Sequence, residues 1–184
     1  ASGMRKDLVG VDLYYLGMLH WIAENLDGTA ERLLKYIASG DAAADRSQTA
    51  RSIVVVVLAK QKKTEDAERI LADYVKNEPQ KLTERARMEG ELAKAYQVQR
   101  DFVRMAPHAE EAFKASKALL ADASSRSRGL DEIRDNGMLV FEAYRDTGNA
   151  EKAVGALDEL IASAVSTQSP SLYYYAADAK ITYL

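Results

Sequence analysis

Residues 50–80, ARSIVVVVLAKQKKTEDAERILADYVKNEPQ, decide the fold of this chain. Apolar residues in its second half recur at the spacing of one helix face, and they are Ala67, Ile70, Leu71, Tyr74 and Val75. Thr64 is predicted to cap this helix at its start, and Pro79 to end it. The stretch therefore predicts two helices joined by a short polar turn, with an apolar face that needs a partner.

The β-branched run at residues 53–57 is the one place where a strand competes with a helix. Helix signals lie on both sides of this run, and the sequence has no second run of the same kind to pair with it. Since a single strand cannot form a sheet, a helix is predicted here.

The same hairpin pattern continues along the chain. Hairpins are predicted at residues 7–40, 46–80, 83–121 and 131–167, followed by a last helix at 170–184. Gly28 is predicted to stop the first helix and Thr29 to cap the second, while residues 121–131, ADASSRSRGLD, are predicted to be a loop or a frayed helix end. The prediction is one all-α domain of about four stacked antiparallel hairpins and a terminal helix.

These hairpins resemble the tetratricopeptide repeat, in which helix A carries a small residue, helix B an early alanine, and a proline follows. In the second hairpin the matching residues are Val55, Leu58, Ala67, Leu71, Tyr74 and Pro79. The equivalent helix A residues of the four hairpins are Gly17, Val55, Ala93 and Phe141, which are 38, 38 and 48 residues apart. The resemblance implies an α-α superhelix, and related helical hairpins with units of roughly 40 residues remain an alternative.

Composition excludes several classes of function. With 25 basic and 28 acidic residues the net charge is −3, which does not favour binding to nucleic acid. The chain has no cysteine, so disulfides, thiolate catalysis and cysteine metal sites are excluded. No apolar run approaches the roughly 18 residues that a membrane span needs, so no membrane insertion is predicted.

The residues that could do chemistry are few and scattered. His20 is predicted to be a hydrogen-bonded packing residue and His108 to be exposed at a helix start. Acidic pairs such as Glu110-Glu111 fall near helix N-termini, where the helix dipole accounts for them. We therefore predict no catalytic residue, no metal site and no cofactor, and a protein that is not an enzyme.

If the resemblance holds, helix A residues that face away from the neighbouring hairpin line a concave groove. The predicted lining residues are Tyr15, Met18, Trp21, Ser52, Val56, Lys60, Lys94, Gln97, Glu142 and Arg145. The function that follows is a scaffold that presents this groove to a peptide or protein partner.

Two alternatives stay open. The chain could be an accessory or dimerisation domain of a larger enzyme or signalling protein, or an all-helical enzyme with an inward-facing cluster of Asp, Glu and His. Residues 1–3 precede Met4 as a cloning remnant would, and the last helix stops within an apolar pattern, so we expect a piece of a longer protein. The oligomeric state is left open, and the default compartment is the cytoplasm, or the periplasm if the parent protein has a signal peptide.

Overall fold

The computed structural model describes residues 9–40, 44–78, 81–121, 124 and 126–184, and within them every regular element is an α-helix. The helices are α1 (Val11–Ile22), α2 (Leu26–Ala38), α3 (Ala44–Lys60), α4 (Thr64–Asn77), α5 (Leu82–Gln99), α6 (Phe102–Ala121), α7 (Arg126–Asp146), α8 (Ala150–Ser166) and α9 (Pro170–Tyr183). The all-α prediction is confirmed. Residues 53–57 are helical, as their context indicates.

The chain divides into two compact units, Ala1–Glu78 with α1 to α4 and Pro79–Leu184 with α5 to α9. Within each unit every helix packs against the next one along the chain. In the second unit α5 also contacts α7, so alternate helices lie side by side there. The predicted hairpins correspond to successive helix pairs, and a single domain stays a prediction.

The core of the first unit is built on α3. Its residues from Ile53 to Ala59 are all buried, which explains why this helix has no polar stripe in that segment. Leu33 and Tyr36 of α2 are fully buried as well. Gly17 of α1 lies so close to Leu33 that a Cβ at residue 17 would stand 2.5 Å from Leu33 Cδ2.

The core of the second unit runs through all of its helices. The fully buried large side chains are Met88, Leu92, Tyr96, Met105, Ile133, Leu157 and Leu160. The close approach between α7 and α8 is made by Gly137, where a Cβ would stand 2.6 Å from Leu160 Cδ2. Phe141, the predicted helix A position of that hairpin, is buried and packs edge-on against Tyr183, with 5.3 Å between the ring centroids.

One turn geometry recurs in all four hairpins. In each hairpin, a residue with left-handed backbone conformation follows the first helix. These residues are Glu24, Lys62, Arg100 and Gly148. The next residue in each case donates its N–H to the carbonyl five residues earlier, at 2.8 to 3.0 Å. The left-handed residues are 38 (24 to 62), 38 (62 to 100) and 48 (100 to 148) residues apart. The hairpin turn thus repeats at the spacing that the sequence predicts for helix A.

Three predicted helix ends are wrong. The second helix begins at Leu26, because Asn25 Oδ1 accepts the N–H of Gly28 at 2.9 Å and caps it, so Gly28 and Thr29 lie in its first turn. Thr64 is the first residue of α4 rather than its cap. The helix α7 starts at Arg126, five residues before the predicted fourth hairpin and within the stretch 121–131 that is predicted to be a loop or a frayed helix end. Pro79 lies outside the described residues.

Candidate functional site

The first three predicted groove residues lie on α1. Tyr15 is the most exposed of them, with 54% of its surface accessible, whereas Met18 and Trp21 are half-buried. The Tyr15 ring lies edge-on to Tyr14, and the guanidinium carbon of Arg46 is 5.9 Å from its centroid. This side of α1 is therefore an accessible, mainly aromatic surface.

Two of the three predicted groove residues of α3 are not brought to the surface. Ser52 and Val56 are both buried, with 2% of their surface accessible, and the Ser52 hydroxyl donates to the backbone oxygen of Thr49 at 3.0 Å. Lys60, the last residue of the helix, is exposed. In the first unit the predicted residues do not form one continuous lining.

In the second unit the structure brings two predicted groove residues together. The Gln97 amide on α5 donates a hydrogen bond to the Glu142 carboxylate on α7. Lys94, one turn before Gln97, is exposed and its Nζ lies 3.0 Å from Glu91 Oε1. Arg145 is paired with Asp146 at 2.8 Å. Gln97 and Glu142 therefore meet where α5 contacts α7.

A groove runs between α5 and α7 beside these residues. Its lining residues are Ala86, Arg87, Gly90, Glu91, Lys94, Glu132, Asp135 and Asn136, which enclose about 130 Å³. We call this feature the α5–α7 groove. Its floor is the contact of Gly90 with Asn136, where a Cβ at residue 90 would stand 2.8 Å from Asn136 Oδ1. Glycine at residue 90 thus allows the two helices to approach closely.

Asn136 is held in place by a buried hydrogen-bond chain. Its Nδ2 donates to Ser116 Oγ on α6 at 2.8 Å, and the Ser116 hydroxyl donates to the carbonyl of Ala112 at 3.0 Å. The amide oxygen consequently points towards Gly90 and the groove. An amide in the middle of a helix is unfavourable by propensity, so Asn136 was a detectable signal that the sequence analysis missed.

A charged cluster lies between α5 and α6, and it corrects the prediction for His108. His108 is partly buried, its Nδ1 is 2.7 Å from Glu89 Oε2, and its ring stacks on Tyr96 with 5.7 Å between centroids. Arg85 lies beside them, with NH2 2.5 Å from Glu111 Oε2. Because α6 begins at Phe102, His108 lies in its second turn and faces α5 rather than solvent.

This cluster does not form a metal site. Within the described part of the chain, no three His, Asp or Glu side chains are grouped so as to hold a metal ion. The side chain of Glu89 is only 7% accessible; the Arg85 guanidinium compensates its charge, and the His108 ring lies within hydrogen-bond distance of it. The other histidine, His20, forms a hydrogen bond with Asn25 at 3.2 Å, as predicted.

A second cavity, of about 450 Å³, lies between α6 and α8 above α7. The Tyr144 hydroxyl donates a hydrogen bond to the Glu110 carboxylate and accepts one from Lys152 Nζ at 2.9 Å. Burial, together with the hydrogen bond to Glu110, raises the pKa of the Tyr144 hydroxyl, so this group stays protonated. Lys117 pairs with Glu159 across the same cavity. Four of the charged groups at its rim are therefore paired, Glu110 with Lys152 and Glu159 with Lys117.

Comparison with protein-family models gives no match for this sequence, and comparison with curated protein sequences gives none either. Among the helices that the structure describes, none has the length and apolar character needed to cross a membrane.

Proposed function

We propose that this chain is a non-enzymatic, tetratricopeptide-like repeat module that binds a peptide or protein segment in the α5–α7 groove. The single observation that carries the proposal is the groove itself, with an asparagine fixed at its floor and accessible ionic side chains at its rim. The recurring hairpin turn and the contact of α5 with α7 support the repeat assignment, because stacked hairpins place their first helices side by side.

The chemistry of the groove suits an extended peptide. The amide oxygen of Asn136 at the floor offers an acceptor for a main-chain N–H of a ligand, whatever the ligand's sequence. Acidic groups outnumber basic ones along the lining, with Glu91, Glu132 and Asp135 against Arg87 and Lys94. The ligand that we expect is therefore an extended segment with at least one basic residue.

The experiment uses a phage-displayed library of random peptides to select ligands on the whole chain. We expect selected peptides to be enriched in Lys or Arg, and Asp135→Lys to weaken their binding by about tenfold, since it reverses the charge of one wall. The matched control is Asp178→Lys, the same charge reversal at an exposed residue of α9 outside the groove. Equal affinities for the Asp135→Lys variant and the parent chain, with unchanged circular dichroism, would contradict the proposal.

Trp21→Ala addresses the aromatic surface of α1 separately. If the peptide binds only in the α5–α7 groove, this substitution leaves its affinity unchanged. A loss of affinity in the Trp21→Ala variant alone would place the ligand on the first unit instead and contradict the proposed site.

A further inference from the structure

Asn136 brings an unused hydrogen-bond acceptor to the floor of the α5–α7 groove. The residue is buried, with 6% of its surface accessible, and its Nδ2 donates to Ser116 Oγ at 2.8 Å. Because the Ser116 hydroxyl itself donates to the Ala112 carbonyl, Ser116 Oγ has to accept from Asn136, which fixes the amide nitrogen towards α6 and the oxygen towards the groove. Within the residues that the structure describes, Asn136 Oδ1 forms no hydrogen bond. A buried acceptor of this kind costs free energy unless a donor reaches it from the groove.

The α7 wall of the groove presents acceptors. The α7 residues that line it are Glu132, Asp135 and Asn136. The first two are carboxylates, and the amide nitrogen of the third is turned away towards Ser116. Both cations of the lining, Arg87 and Lys94, belong to the opposite wall, α5. A ligand group that reaches the floor along α7 is therefore selected for its hydrogen-bond donors and its positive charge.

The ion pairs beside the groove do not supply the missing donor. Lys94 Nζ lies 3.0 Å from Glu91 Oε1, and Arg134 NH2 lies 2.9 Å from Asp135 Oδ1. Arg134 is not one of the groove-lining residues, so its charge lies outside the hollow. Both pairs reach solvent, and accessible pairs of this kind contribute little to stability. A cationic ligand can therefore compete for these carboxylates at low cost.

The size and chemistry of the floor favour one kind of cation. The lining encloses about 130 Å³, and the acceptor at the floor is the single oxygen of an amide. An ammonium is a compact charge with three donors, which suits one oxygen at the floor and carboxylates on the wall. A guanidinium is a planar fork that matches the two oxygens of one carboxylate, and the floor has no such pair. A main-chain N–H competes less well than an ammonium, because a charge-assisted hydrogen bond is about twice as strong as a neutral one.

From these observations we infer that the α5–α7 groove binds a primary ammonium group, which donates to Asn136 Oδ1 and lies beside the carboxylates of Glu132 and Asp135. The inference rests on the proposed function and names the chemical group that the groove recognises in its peptide ligand. A lysine side chain and the free N-terminus of a peptide carry this same group, so each can supply it. In both cases the groove discriminates against arginine.

The first experiment uses small probes and needs no selected peptide. Nα-acetyl-lysine methylamide, its arginine and norleucine analogues, and glycine methylamide, which has a free α-amine, are titrated into the isotope-labelled chain. The side-chain amide signal of Asn136 is followed by NMR, with that of Asn77 on α4 as the reference.

We expect the lysine compound or glycine methylamide to shift the Asn136 signal, the arginine compound to need about tenfold higher concentration, and the uncharged norleucine compound to leave the signal in place. A shift with the lysine compound assigns the ammonium to a side chain, and a shift with glycine methylamide assigns it to a peptide N-terminus. No shift with either compound, an equal response to arginine or norleucine, or an equal shift of Asn77 would overturn the inference.

A second experiment changes the protein and follows the backbone amide signal of Gly90, which also lines the groove. Asn136→Leu removes the acceptor and should abolish the preference for the ammonium compounds over norleucine. Asp135→Asn removes one carboxylate of the wall and should weaken their binding about threefold. Asp178→Asn, the same change at an exposed residue of α9 outside the groove, should have no effect. If circular dichroism shows that Asn136→Leu unfolds the chain, the comparison of the two aspartate variants decides, and equal affinities in that pair would contradict the site.

The ammonium site and the peptide groove fail in different ways. Selected peptides that bind the groove and keep their affinity after acetylation of every lysine and of the N-terminus would overturn the ammonium site and leave the peptide groove in place. A shift of the Asn136 signal by an ammonium compound, without any selected peptide that binds the groove, supports the ammonium site and overturns the peptide groove.

Discussion

At the scale of single residues, two helical glycines of the second unit have opposite roles. A Cβ at Gly137 would stand within 2.8 Å of three atoms of the fully buried Leu160, whereas a Cβ at Gly155 meets nothing within 4 Å. We expect Gly137→Ala to lower the free energy of unfolding by about 1–3 kcal/mol, because Leu160 cannot move away in a packed core. Gly155→Ala should raise it by about 0.5–1 kcal/mol, since alanine is the better helix former.

Urea unfolding of the two alanine variants, followed by circular dichroism, measures both changes. The pair forms its own control, because the same side chain is added to two helices of one unit. Changes of the same sign would show that the packing of Leu160 against α7 differs from the one described.

Glu89 is a buried charge at the contact of α5 with α6. Its carboxylate lies 2.7 Å from His108 Nδ1 and 3.7 Å from Arg85 Nε, so removing it takes away a hydrogen-bond partner of His108 and an opposite charge beside Arg85. We expect Glu89→Ala to lower the free energy of unfolding by about 1–3 kcal/mol. Glu159→Ala, which breaks the accessible pair with Lys117, should cost less than about 1 kcal/mol. Equal losses in thermal or urea unfolding would contradict the structural role of Glu89.

At the scale of elements, the recurring turn places three residues other than glycine in left-handed backbone conformation within hairpins. Arg100, with φ of 58°, follows α5 and is exposed. We expect Arg100→Gly to raise the free energy of unfolding by about 0.5–1 kcal/mol, because glycine adopts this conformation without steric cost. Lys114→Gly, in the exposed interior of α6, should instead lower it by about 1 kcal/mol. Urea midpoints distinguish the two outcomes, and a lower midpoint for Arg100→Gly would contradict this account.

The helices were predictable from the sequence, and much of the site was not. The spacing of apolar residues predicts α4 and α8 correctly, because a helix with one buried face has apolar residues at regular intervals in its sequence. The hairpin turns could not be predicted from the positions of glycine, because only one of the four left-handed turn residues, Gly148, is a glycine. His108 was misjudged because its partner Glu89 belongs to another helix, and pairing between helices leaves no local signal. The same reason hides the bond between Gln97 and Glu142.

At the scale of the molecule, residues 79–184 form a unit whose helices all have packing partners within that unit. We therefore expect this segment, expressed alone, to be helical and to unfold in one cooperative transition in urea. The control is residues 100–184, which lacks α5 and so exposes the sides of α6 and α7 that α5 covers. Its transition should be broad or absent. If both segments unfold alike, or if residues 79–184 show no helical circular dichroism, the second unit is not a self-sufficient core, because its stability then depends on residues outside it.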